Sequence, residues 1–299
     1  MAEPTTETWQ LPVEEHCYRH PKEITRVHCT RCGRPICPDC MHPAPVGHHC
    51  PTCVAEEGRR DPGVRRGRAR VFLARPGAIT SALLAVNVGV FLLEVVLGGP
   101  GSLLTGPSLR TLLDLGAIYP PAVAAGQYWR FLTAMFLHAG LIHLLLNMYA
   151  LYLFGYLIEA AFGKPRFIAI YFVSGFLASV ASYSFSGVET VGVGASGAIF
   201  GLLGAWLAYN WRRRQLASAS ANLRWVLFLL LINLVFGLSI RGIDNFAHLG
   251  GFVGGILAGA AAEGFGRRPV TTVVQVVGLI ALVALGVVLT VIRTAALTA

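Results

Sequence analysis

Charge is scarce in this sequence: of 299 residues only 13% are Asp, Glu, Lys or Arg, while 55% are hydrophobic. The mean hydropathy of +0.61 lies far from the balance of a soluble domain. A water-soluble globular protein is thereby excluded, and a polytopic membrane protein is implied. Cysteine is absent from everything after Cys53: all seven lie between Cys17 and Cys53, several in CxxC pairs. An odd, tightly clustered set of this kind argues for metal ligation over a disulfide framework. The start, Met1-Ala2-Glu3-Pro4-Thr5-Thr6, lacks the apolar core of a signal peptide, so the N-terminus is expected in the cytoplasm.

The first 75 residues are polar, rich in Cys, His, Pro and Arg, and contain no long apolar run. They read as a separate module over residues 1–57, followed by a basic juxtamembrane linker at 58–77 and a membrane domain at 78–299. Four pairs fill the module: Cys17-x-x-His20, Cys29-x-x-Cys32, Cys37-x-x-Cys40 and Cys50-x-x-Cys53. Two donors three residues apart on a tight turn aim at one point, so eight ligands make two closed tetrahedral zinc sites. With no open coordination position such zinc is structural, and it supplies folding free energy that a module of about 40 residues cannot gain from a core. Pairing the first with the third and the second with the fourth gives a cross-braced module resembling a B-box or RING-like zinc finger. Sequential pairing gives two zinc ribbons, and the spacing alone allows both. His16, His28, His42, His48 and His49 are spare donors outside the eight.

Seven apolar spans follow, at Ile79–Leu97, Leu141–Ala161, Phe167–Phe185, Ser196–Trp211, Trp225–Ile240, Phe246–Ala262 and Val270–Ile292. Two or three of them fall short of the ~20 residues needed for a full crossing. The formal net charge of +9 comes mostly from arginines beside these spans. With the N-terminus inside, the inner segments hold the arginines of 59–75, Lys164, Arg166, Arg212, Arg213, Arg214, Arg224, Arg267 and Arg268, and the outer ones only Arg110, Arg130, Arg241 and Arg293. The asymmetry sets the orientation, and it reads as topology and not as a nucleic-acid surface. The long connection Gly98 to Gly140 is broken by prolines and glycines yet carries Leu112, Leu113, Ile118, Trp129 and Phe131, so it is expected to lie at the membrane surface.

Polar side chains within spans are costly, and each is a functional candidate. His138, His143 and Asn147 belong to the second span and its approach, Ser196 opens the fourth, and His248 begins the sixth within Asp244-Asn245-Phe246-Ala247-His248. A rise of 1.5 Å per residue puts Ser196 about 24 Å above Arg212, His248 about 22 Å above Glu263 and Asn147 about 26 Å above Lys164. In a hydrocarbon core about 30 Å thick, all three reach a similar level beneath the outer surface. Alone, the small-residue run Gly194-Ala195-Ser196-Gly197 would ordinarily be a helix-packing face. Beside four such polar groups at matching depth, His138, His143, Asn147 and His248, the serine reads as a nucleophile. His248 can take the Ser196 proton as general base, and the Asn147 amide, a His143 ring N–H and the Ser196 backbone N–H can receive an oxyanion. No acidic residue stands at that depth, so the pair is a dyad, with His248 oriented by packing against Phe200, one turn below Ser196.

Together these residues resemble the rhomboid intramembrane serine proteases. The resemblance rests on Trp129-Arg130, His138-x4-His143-x3-Asn147, Gly155-x3-Glu159-x3-Gly163, Gly194-Ala195-Ser196-Gly197 and Ala247-His248-x2-Gly251-x3-Gly255-x3-Gly259, in that order. It covers about Ile79 to Ala262 and departs from many members in having Phe200 where they carry tyrosine. It implies an all-α membrane fold, a rhomboid-like bundle of six core transmembrane helices plus one at the C-terminus. It further implies Ser196 as nucleophile, His248 as base, His143 and Asn147 as oxyanion donors, structural roles for His138 and the Trp129-Arg130 loop, and a fifth helix acting as lateral gate. Glu159 is expected to pair with Arg166 or to cap loop amides.

The expectation is therefore a multi-pass protein of a bacterial cell membrane that cuts transmembrane substrates, with two structural zinc ions and none for catalysis. Its partners would be the bilayer, membrane-protein substrates and a cytosolic protein bound by the zinc module, and nucleic acid is not among them. The alternative is a catalytically silent scaffold of the same shape that holds client helices.

Overall fold

The computed structural model describes residues 15–44, 46–60, 77–99, 101–240, 242–263 and 272–299. Met1–Thr6, Arg65, Arg66, Arg68, Arg70, Arg75, Arg241, Arg267, Arg268 and the expected start of the last span at Val270 lie outside the described residues. The chain divides into two compact units, residues 1–72 and 73–299.

The first unit has little regular structure: a 3-10 turn at Pro38–Cys40, strands β1 (His42–Pro43) and β2 (His48–His49) paired antiparallel with His42 opposite His49, and helix α1 (Pro51–Arg60). Its interior is sulfur more than hydrocarbon, with Cys17, Cys29, Cys37, Cys40, Cys50 and Cys53 buried around Ile36. One buried isoleucine is far too little apolar surface to hold a domain of this size.

The second unit is a helical bundle. Its long helices are α2 (Ala78–Gly98), α7 (Leu141–Phe162), α8 (Lys164–Phe185), α9 (Ser196–Arg212), α10 (Ala217–Ser239), α11 (Asn245–Glu263) and α12 (Thr272–Thr298). Between α2 and α7 run short helices α3 (Ser102–Thr105), α4 (Leu109–Leu115), α5 (Pro120–Ala124) and α6 (Arg130–Thr133). Among the described residues six helices are long and apolar enough to cross a membrane; α9, with 17 residues, is shorter. Helix α10 starts at Ala217 and not at the expected Trp225, because its polar first turns are helical without being hydrophobic: Asn222 there donates to Asn210 Oδ1 of α9 at 2.9 Å.

Helices α7 and α8 meet at one residue, Gly163, whose φ of +77° only glycine adopts without strain, and Pro165 is the second residue of α8, in the first turn where an amide hydrogen is not needed. Of the two partners expected for Glu159, the structure has the amides: its buried carboxylate accepts Ile79 N–H at 3.2 Å, Thr80 N–H at 2.8 Å and the Thr80 hydroxyl at 2.9 Å. A carboxylate on α7 thus satisfies the unpaired donors at the start of α2.

Helix α9 lies inside the bundle against α7, α8 and α11. Its approach to α11 is backbone on backbone: a Cβ at Gly251 would stand 2.0 Å from the Gly197 carbonyl oxygen, and one at Gly255 1.9 Å from that of Gly201. Small residues four apart on both helices leave no side chain between the axes, the arrangement that packs helices without help from water. Toward their C-terminal ends Arg213 grips Glu263 through two bonds of 2.9 Å, while its guanidinium lies 3.6 Å above the Tyr209 ring. The paired helices are held along their length and locked at one end.

Candidate functional site

Ser196 is the first residue of α9 and His248 the fourth of α11, so the close glycine face brings the N-terminal end of α9 and that of α11 together. The Ser196 Oγ lies 3.0 Å from His248 Nε2, across 52 residues of sequence. The imidazole is stacked on Phe200, 4.2 Å between centroids and 12° between planes.

The segment entering α9 is fixed by the loop before α7. Ile118 and Gly192 exchange two backbone bonds of 2.9 and 3.0 Å, and Gly194 N–H donates to the Ala134 carbonyl at 2.9 Å. That loop is itself tied by buried Arg130, which donates to the Leu113 and Ala117 carbonyls and to Gln127, each at 2.8 Å, and stacks on Trp129. Gly194 has φ +125°, and a Cβ there would lie 2.8 Å from His143 Nε2 and 3.6 Å from Ser196 Oγ. The absent side chain leaves a small space bounded by the hydroxyl and the histidine ring.

The tautomer of His143 follows from its other nitrogen. Nδ1 accepts the Ala139 N–H at 3.4 Å, so the proton sits on Nε2, facing that space. Asn147, one turn further along α7, donates one amide hydrogen to the His143 carbonyl at 2.9 Å and keeps a second. His138 is fully buried in the preceding loop: its Nδ1 bonds the Phe136 carbonyl at 3.1 Å and its amide reaches both Glu94 carboxylate oxygens at 3.1 and 3.3 Å. His138 therefore contacts the site through His143, whose ring lies 5.2 Å away edge-on.

One residue of the neighbourhood has no role in the sequence reading. Asp244, immediately before α11, accepts the Ala247 amide at 3.0 Å and hydrogen bonds from Ser182 of α8 and from Ser186, the residue that follows α8. The signal for it is local: an aspartate just before an apolar helical run is a common N-cap.

In the first unit the eight expected ligands form two groups, Cys17, His20, Cys37 and Cys40 in one and Cys29, Cys32, Cys50 and Cys53 in the other. The pairing is cross-braced and not sequential, and within each group every donor atom lies within 4.8 Å of the others. A tetrahedral ion with sulfur at about 2.3 Å holds its sulfurs about 3.75 Å apart. Cys32 and Cys50 Sγ stand 3.7 Å apart, and His20 turns Nδ1 to Cys37 at 3.1 Å and Cys40 at 3.5 Å. Burial and then the adjoining thiols push Cys40 up to about 11, with Cys17 first among those neighbours, and Cys53 up to about 12, with Cys32 first. Sulfurs this close, three in the first group and four in the second, cannot all carry charge unless a cation lies among them, so both groups fit a metal ion.

Residues 125–264 match the family model of the Rhomboid domain. Rhomboid protease GluP of Bacillus subtilis (strain 168) is 35% identical over 219 residues, 71% of this chain and 41% of its own length. RHOMBOID-like protein 6, mitochondrial, of Arabidopsis thaliana is 43% identical over 158 residues, 52% of this chain and 50% of its own. YdcA of B. subtilis, provisionally named a rhomboid protease, is 37% identical over 139 residues, 46% of this chain and 69% of its own. The chain spans half or less of the first two of these relatives. With six helices fit to cross a bilayer, the similarity makes it a multi-pass integral membrane protein.

Proposed function

Because the chain belongs to the rhomboid family, we propose that it is an intramembrane serine endopeptidase working through a Ser196–His248 dyad. The observation that carries the proposal is the 3.0 Å contact between Ser196 Oγ and His248 Nε2, made by a ring stacked on Phe200.

The reaction would run in two halves. Ser196 Oγ attacks the scissile carbonyl as His248 Nε2 takes its proton, giving a tetrahedral intermediate. Its oxyanion would sit in the space that Gly194 leaves open, bonded by His143 Nε2–H, the Ser196 backbone N–H at the helix start and the second amide hydrogen of Asn147. Collapse breaks the C–N bond, and the proton on His248 passes to the leaving amine. Water, deprotonated by His248, then splits the acyl ester and restores Ser196. Peptide hydrolysis needs that water, and a dyad at the outer ends of two helices is where water can arrive. The substrate would be a transmembrane protein, cut near the outer end of its helix where small or helix-breaking residues let the strand unwind.

The ion in the first unit is proposed to be zinc, held in one site by three cysteines and a histidine and in the other by cysteines alone, each fully coordinated and structural. The module over 1–57 and the linker at 58–77 would lie on the cytoplasmic face of a bacterial cell membrane, with the membrane domain at 78–299. Replacing Ser196 by alanine tests the reading. Cleavage of a single-span model substrate should stop while the melting temperature is kept, and continued turnover would remove the proposed nucleophile.

A further inference from the structure

Helix α11 carries His248 as its fourth residue, so whatever holds that start holds the imidazole. The group that holds it is Asp244. Its Oδ1 accepts the Ala247 amide at 3.0 Å and its backbone carbonyl accepts the His248 amide at 3.1 Å, so the first turn of α11 is bonded to this one residue from two sides. The carboxylate is fixed in turn by α8 and the residue that follows it, with the buried Ser182 hydroxyl donating to Oδ2 and that of Ser186 to Oδ1 at 3.2 Å.

The same cluster reaches the serine. A Cβ at Gly192 would lie 3.1 Å from Ser182 Oγ and 3.6 Å from Asp244 Oδ2, so the backbone that leads into Ser196 rests against the Asp244–Ser182 pair. Gly192 is also the residue clipped to Ile118 by two hydrogen bonds, four positions before the nucleophile. One carboxylate therefore abuts the start of both helices that supply the dyad, while α8 serves as the shared wall.

We propose that Asp244 is a positioning residue for the reaction, one that sets the height of His248 against Ser196 from outside the dyad. The inference rests on the protease reading above and deepens it. Substitutions of the carboxylate act on the rate through geometry, since a misplacement of about 1 Å at a reacting group is enough to cost 10²-fold. Glu159 supplies a matched comparison. It is likewise a carboxylate bonded to the amides at a helix start, but that helix is α2, which contributes nothing to the dyad.

The test uses the full chain in detergent with a fluorogenic single-span peptide, comparing Asp244→Ala, Asp244→Asn, Ser182→Ala and Glu159→Ala with the wild type. Asp244→Ala should lower kcat more than tenfold with KM within twofold. Asp244→Asn keeps an acceptor oxygen for the Ala247 amide and should recover most of that loss, and Ser182→Ala should fall between. Glu159→Ala should lower the melting temperature yet keep kcat within twofold. If Asp244→Ala loses activity only in step with its melting temperature, or if the asparagine variant is no better than the alanine one, the positioning role is overturned. A wild type that cleaves no better than Ser196→Ala overturns both readings; an active wild type equalled by Asp244→Ala overturns this one alone.

Discussion

The ring of Phe200 lies flat against the ring of His248, 4.2 Å away and tilted by only 12°. Phe200 is one turn along from Ser196 on the same helix, so the ring stacked on the proposed base travels with the proposed nucleophile. In the proposed dyad, the part that a carboxylate plays in a catalytic triad, holding the imidazole plane, falls to this apolar ring.

Removing that ring should therefore damage the rate more than the fold. Phe200→Ala is expected to lower kcat by about 10²-fold, the cost of a loosely held reacting group. Phe200→Tyr, which keeps the ring, should stay within about threefold. Steady-state kinetics on a detergent-solubilised substrate, paired with thermal melting, separates the two effects; equal activity of Phe200→Ala and wild type would take the stack out of the account.

Gly194→Ala fills the space between His143 and Ser196 and imposes a side chain at φ +125°. Losing the proposed oxyanion site in this way should lower kcat by about 10²–10³-fold. His143→Ala should fall into the same range with KM little changed. A Gly194→Ala enzyme of normal rate would mean that the oxyanion forms elsewhere.

Gly255→Val tests the helix contact. Its Cβ would meet the Gly201 carbonyl oxygen at 1.9 Å, backbone that cannot step aside, so α9 and α11 must separate. Overpacking of this kind costs about 1–3 kcal/mol. The variant should melt lower and lose cleavage together, because the same displacement moves Ser196 from His248. Unchanged melting would contradict the close contact.

Much of this site can be read in one dimension because helices convert sequence spacing into height and direction. Glycines four apart announce a smooth face, and counting residues from Arg212, Glu263 and Lys164 gives Ser196, His248 and Asn147 similar heights. What stays hidden depends on partners distant along the chain. Asp244 meets Ser182 and Ser186 across 62 and 58 residues, and Glu159 meets Thr80 across 79. No local pattern says which of several polar groups a carboxylate will choose. The cross-bracing of the first unit is of the same kind, since four evenly shaped pairs match each other equally well until the chain is folded. Helix α10 reads short in the sequence for a different reason: hydropathy registers what enters lipid, and the polar turns from Ala217 do not.

Metal removal should separate the two units of the chain. A strong chelator is expected to unfold residues 17–53, whose buried interior is cysteine around a single isoleucine, and acid should do the same because protons compete for the thiolates. Limited proteolysis would report the loss as new cuts in that stretch. Cleavage of a membrane substrate in detergent should continue; its arrest on chelation, with recovery on adding zinc, would give the metal a part in the reaction.

The dyad itself is tested most directly by a serine-directed fluorophosphonate, with the modified peptide identified by mass spectrometry. The adduct should appear on Ser196 of the wild type and be lost in His248→Ala, because an alcohol at 3.0 Å from a base is activated only while the base is there. Equal labelling of the His248→Ala variant, or an adduct on another serine, would contradict the assignment.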